Sequence, residues 1–152
     1  MTSTSALDPN GLINRLAIDL GHSLLQYLGE AWPWSDANHR EEHSKIDELV
    51  ARQSELVDRL LNLLQDRDWA IESGTYPTEF TDLQYLSLEF LLDRTIENAE
   101  LHVELLEDCR SYFAASPDEQ AAALVEDVLS EQKKIVAELK ELAASIQKKN
   151  AG

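Results

Sequence analysis

Cysteine is almost missing from this chain. Cys109 stands alone, so no internal disulfide can form and a reducing compartment is the natural setting. Cations are outnumbered: 13 Lys and Arg face 29 Asp and Glu, for a formal net charge of -16 and a pI near 4.4. Nucleic-acid binding is driven by cations that displace counterions from phosphates, so this balance argues against it, and anionic membranes are disfavoured for the same reason. No apolar run approaches the ~20 residues needed to cross a bilayer. The stretch from Met1 to Asn10 has neither a basic region nor an apolar core, so neither a signal nor a transit peptide is expected and the protein reads as cytoplasmic. Nucleophile elbow, Walker loop, dinucleotide fingerprint and cysteine-pair zinc motif are all lacking, and no catalytic residue is assigned. Glycine (5) and proline (4) are scarce in 152 residues, while leucine, glutamate and alanine abound. An all-α class follows.

Four amphipathic segments are present, predicting helices at about 9–30, 38–68, 80–113 and 117–148 of a single domain spanning 1–152. Asp8-Pro9 starts the first, because aspartate accepts from free amides and proline suits the first helical position. Gly21 is tolerated inside it at ~1 kcal/mol and suggests close approach of a neighbouring backbone. Trp32 and Trp34 flank Pro33, either plugging the end of a bundle or forming an exposed anchor for a partner. In the second helix Ile46, Val50, Val57, Leu60, Leu61 and Leu64 make the apolar stripe, with Gln53 in its middle. Residues 69–80 reach on the order of 40 Å when extended, enough for a hairpin loop or for a crossover along a bundle.

The third helix is expected to start near Thr81, or near Thr78. It turns Leu88, Leu91, Leu92, Thr95, Ala99, His102, Leu106, Cys109 and Phe113 inward and carries carboxylates opposite. Ser116-Pro117-Asp118-Glu119 opens the fourth helix, with serine as N-cap and proline in the first position. Gln132 sits within the apolar stripe of that helix, and Lys148 and Lys149 complement the dipole at its end.

Bundle cores of this size can hold two metal ions through inward glutamates and Glu-x-x-His pairs. None of His22, His39, His43 and His102 has a glutamate three residues before it, and Gln53, Thr95 and Gln132 stand where ligands belong. No cofactor is predicted. His39, Glu42 and His43 would suit a single metal on one helical turn, or else an exposed first turn. What remains is a polar layer of Gln53, Gln84, Thr95, His102 and Gln132, read as a device that fixes helix register through hydrogen bonds. Cys109 is expected to be buried beside Glu107 and Asp108, with its thiolate disfavoured.

The run Ser73-Gly-Thr-Tyr-Pro-Thr-Glu-Phe-Thr81, continued to Leu92, resembles the start of the third helix in small bacterial proteins of the ferritin-like superfamily, and Leu24 to Trp34 is similar to the end of their first helix. The resemblance covers about Leu12 to Ile146. It implies a crossover between helices two and three, which then run parallel, and it implies iron or di-metal chemistry through glutamates and two histidines. Glu30, Glu42, Glu97, Glu126 and Glu131 are the helical glutamates to inspect, and helical phase turns Glu97 outward. The expected role is therefore a non-catalytic ferritin-like bundle acting through protein contacts, as a homodimer or with another protein. The alternatives are a metal-dependent oxidase or hydrolase, and a small-molecule binder with a pocket beside His102.

Overall fold

Capping chemistry sets where the helices begin. The computed structural model describes residues 8–30, 39–80 and 87–151, with side chains to residue 149. Within these residues the chain forms α1 (Pro9–Gly21), α2 (Leu24–Glu30), α3 (Arg40–Asp66), α4 (Leu88–Ala114) and α5 (Glu119–Ala151). Asp8 accepts the Asn10 N–H at 3.1 Å and opens α1. Ser87 accepts the Phe90 N–H at 3.3 Å, so α4 starts at Leu88, later than expected. Residues 78–80 form only a short 3₁₀ turn, and the Thr81 cap lies outside the described residues. At α5 the cap is Asp118, which accepts the Ala121 N–H at 3.1 Å. Ser116 and Pro117 therefore precede the helix instead of opening it. An aspartate placed three residues before a free amide outcompetes the serine.

The expected continuous first helix is broken. His22 leaves helical geometry (φ -119°, ψ 30°), and Ser23 Oγ accepts the Gln26 N–H at 3.3 Å to restart the helix as α2. A restart exposes unpaired amides. One of them, on Leu24, is taken by Asn98 Oδ1 of α4 at 2.9 Å. The break is thus stabilised by a side chain 74 residues away in sequence.

Side-chain pairs fix the topology. Moving up α3, Glu42, Lys45, Arg59 and Arg67 pair with Lys149, Glu138, Asp127 and Asp118, in descending order along α5. Moving up α4, Glu100, Glu107 and Arg110 pair with Lys140, Lys133 and Glu126. Both helices are antiparallel to α5, so α3 and α4 are parallel and the chain must climb the bundle between them. It does so along the first helical leg. Glu72 is held by Asn14, Gly74 lies against Ile18, Tyr76 meets the rings of His22 and Tyr27, and Phe80 meets Tyr27. Asn14 is 3% exposed and uses both ends of its amide: Nδ2 donates to the Glu72 carbonyl at 3.1 Å, and Oδ1 accepts the Glu72 N–H at 2.9 Å. The result is the up, down, crossover, down, up arrangement of a ferritin-like bundle.

No neighbouring backbone closes on Gly21, where an added Cβ would meet the Val57 side chain at an ordinary 3.6 Å; the tight contacts are made by side chains against two other glycines. At Gly29 it would stand 2.9 Å from Val50, and at Gly74 it would collide with Ile18. The core is apolar and continuous, with Ile46, Leu60, Leu64, Leu92, Leu106, Ile135 and Leu139 at 0% exposure. Fully burying one such side chain contributes roughly 1.5–3 kcal/mol. That burial, more than propensity, holds helices whose outer faces crowd like charges.

Candidate functional site

The break at Ser23 turns its hydroxyl into the middle of the bundle. There Ser23 Oγ donates to Gln53 Oε1 at 2.8 Å, Gln53 Nε2 donates to Gln132 Oε1 at 3.2 Å, and Gln132 Nε2 reaches the Ala99 carbonyl at 3.4 Å. One chain of hydrogen bonds therefore crosses from Ser23, at the start of α2, through α3 and α5 to α4. Gln26 donates to the same Gln53 oxygen at 3.1 Å and to the Val50 carbonyl at 3.0 Å. Gln53 and Gln132 are fully buried and Ser23 nearly so. A buried amide is tolerated only where its donors and acceptors are matched, and this relay matches them.

Of the other residues in the expected polar layer, Thr95 is fully buried but bonds its own helix, donating to the Leu91 carbonyl at 2.7 Å. His102 is half-buried, and its Nδ1 is enclosed without a hydrogen-bond partner. Gln84 lies outside the described residues. Ser23 and Asn14, both nearly buried, are not marked by periodicity. For Ser23 a signal was present: Gly21 to Ser23 offers a glycine and a capping residue inside one helical run.

Asp19, on α1, lies within reach of α4. Its side chain is 26% exposed and paired with Arg15 at 3.3 Å, and its charge acts on both His102 and Cys109. Burial lowers the pKa of His102 against the opposing pull of Asp19. Burial, helped by Asp108 and Asp19, pushes the Cys109 thiol up to about 11. A neutral thiol at that value is a poor nucleophile at neutral pH. Gln53 and Gln132, which would have lined a pocket beside His102, are bonded to each other.

The His39, Glu42 and His43 triplet lies at the start of α3. His39 is the N-cap residue, and His43 is 4.0 Å from Asp47. Glu42 is 4% exposed; Oε1 accepts from Lys149 at 3.1 Å and Oε2 accepts no hydrogen bond. Trp32 and Trp34 lie outside the described residues. The glutamates marked for inspection do not converge: Glu97 is 68% exposed beside Arg94, Glu126 pairs with Arg110, Glu131 with Lys134, and Glu30 lies by Tyr76.

A two-metal centre needs several carboxylates converging with imidazoles. At mid-bundle the donors are neutral amides and a hydroxyl whose lone pairs and protons are already engaged with one another. Among the described residues no three of histidine, cysteine, aspartate and glutamate come together to hold an ion. The described residues at mid-bundle do not fit that group. No helix of the described residues is long and apolar enough to cross a membrane.

No curated protein and no solved structure matches the chain. The family model described as ferritin-like domain matches residues 10–149, nearly the whole sequence. With the crossover between parallel α3 and α4, this places the chain in the ferritin-like family.

Proposed function

We propose that this protein is a non-catalytic ferritin-like bundle that acts through protein contacts, with a second copy of itself or with another protein. The observation that carries the reading is the Ser23, Gln53, Gln132 relay. It fills the middle of the bundle with matched neutral groups, which favours a role in fixing helix register over one in binding ions. The buried, unreactive Cys109 and the acidic surface support a reducing, cytoplasmic setting. Purification without chelator followed by elemental analysis and a ferrous oxidation assay tests it. The expected result is no stoichiometric metal and no oxidation above buffer; one or two iron, manganese or zinc ions per chain would overturn it.

The second reading is a metal site at the start of α3, where a bound ion would have to draw together His39, Glu42 and His43, which do not converge in this structure. It is favoured by the buried Glu42 oxygen that accepts no hydrogen bond, with His39 and His43 on the same turn. The same elemental analysis separates the two, because only this reading predicts metal that Glu42→Gln removes.

A further inference from the structure

Among the described residues, the large apolar side chains that stand out in solvent are Phe90, 47% exposed, and Leu101, 61% exposed, both on α4. At 100° per residue they lie within about 20° of one another and nearly opposite the buried Thr95, Ala99 and Leu106, so neither can belong to the chain's own core. Arg94 and Glu97 fall on the same stripe between them, 52% and 68% exposed and only loosely paired at 4.0 Å. Phe90, Arg94, Glu97 and Leu101 are spaced four, three and four residues apart, a pattern that reads the same in both directions. Such a pattern suits a two-fold axis. In an antiparallel pair of identical helices it sets Phe90 against Leu101 and Arg94 against Glu97, twice over.

We propose that a second copy of this chain docks here, α4 against α4 and antiparallel, about an axis passing between Thr95 and Ile96. The inference rests on the contact role proposed above and names its partner. Charge selects the second copy. In a protein of net charge -16, Arg94 is the only cation on α4 before Arg110, and the stripe it shares with Glu97 is a neutral strip between flanking carboxylates. Shape agrees. Beside Leu101 lies a groove of ≈ 320 Å³ lined by Leu24, Phe80 and Asn98 together with the charged Glu79, Arg94 and Glu97. The pairing brings Phe90 of the second copy to this groove, where Leu24, Phe80 and Leu101 offer apolar contact at each end of the interface and Arg94 and Glu97 lie on the side toward the axis. One helix pair with two such contacts lies at the small end of specific interfaces, so dissociation on the order of 10 µM is expected.

Sedimentation equilibrium of the full chain at 150 mM salt, over a concentration series, tests this. A monomer–dimer equilibrium is expected, weakened at least tenfold by Leu101→Glu. Arg94→Glu and Glu97→Arg should each weaken it at least tenfold, because each creates two like-charge contacts. The double variant Arg94→Glu/Glu97→Arg should restore it to within a few fold. All these positions are exposed, and helical content by circular dichroism checks that each variant folds. A monomer at millimolar concentration, or a dimer indifferent to these changes, overturns the α4 interface and leaves the contact role to a different partner. Weakening in the singles without recovery in the double overturns the antiparallel pairing. Stoichiometric metal would instead overturn the contact role, with the interface still decided by the charge-swap series.

Discussion

Replacing Gln53 with leucine strands two buried groups: the Ser23 hydroxyl proton, which it accepts at 2.8 Å, and Gln132 Oε1, to which it donates at 3.2 Å. Gln26 keeps the Val50 carbonyl as an acceptor. A buried polar group left without a partner costs about 1–3 kcal/mol, partly offset by the apolar burial the leucine gains, so a loss of about 2–4 kcal/mol is expected. For a domain of this size that lowers the melting temperature by roughly 5–15 °C. Gln132→Leu alone should cost about 1–3 kcal/mol by stranding Gln53 Nε2. The double variant removes both partners of one bond and leaves only the Ser23 hydroxyl stranded, so it should cost about 1–3 kcal/mol in total, well short of the sum of the singles. Urea titration with unchanged slope measures all three. Singles that add, or a Gln53→Leu variant within ~0.5 kcal/mol of the wild type, would show that the relay does not hold the bundle together.

Two pH-linked outcomes follow from the ionisable groups. Burial depresses the pKa of His102 below 6.5, so the unfolded chain binds the proton first and stability falls as pH drops below 6.5 toward the folded value. His102→Leu should hold or raise the melting temperature at pH 7 and remove that part of the acid loss; parallel melting curves for the two proteins from pH 7 to 5 would contradict it. At the other end of the bundle, Arg67 grips Asp118 with two 2.8 Å hydrogen bonds and Asn10 with one of 2.7 Å. The Arg67 hydrogen bond lowers the carboxyl below its usual 3.8, so its stabilisation is complete above that pH and is lost as pH falls through the folded value. Asp118→Asn keeps an N-cap but loses the ion pair, and should cost about 1–2 kcal/mol at pH 7 and nothing once the carboxyl is protonated. An equal cost at both pH values would locate the effect in the cap.

The parts of the structure legible in the sequence are those set by local periodicity. Ile46, Gln53, Leu60 and Leu64 recur at bundle spacing and are all fully buried. The parts that were not legible depend on partners distant in sequence. Nothing near Gly21 announces that Asn98 will take the Leu24 amide, so the break was read as a tolerated glycine in a continuous helix. Asn14 looks like a helix-surface residue until the crossover arrives 58 residues later to claim both ends of its amide. Periodicity also places a residue on a face without saying whether anything covers it. Asp19 sits off the apolar face of its own helix, yet its charge acts on His102 and Cys109 of α4.

The inner relay and the outer stripe are linked through the rotation of α4 about its axis. Gln132 reaches the Ala99 carbonyl, and Thr95 and Ala99 are buried at the centre, which fixes which side of α4 points inward. With that side fixed, helical geometry sends Phe90, Arg94, Glu97 and Leu101 outward together. A helix needed only to close its own bundle would gain nothing from a phenylalanine and a leucine placed opposite its core. The proposed dimer would desolvate them, with the order of the two charges between them matched by a second copy. Loosening the relay should therefore weaken the proposed dimer as well as the monomer, since a rotated α4 would no longer present the four residues toward a second copy.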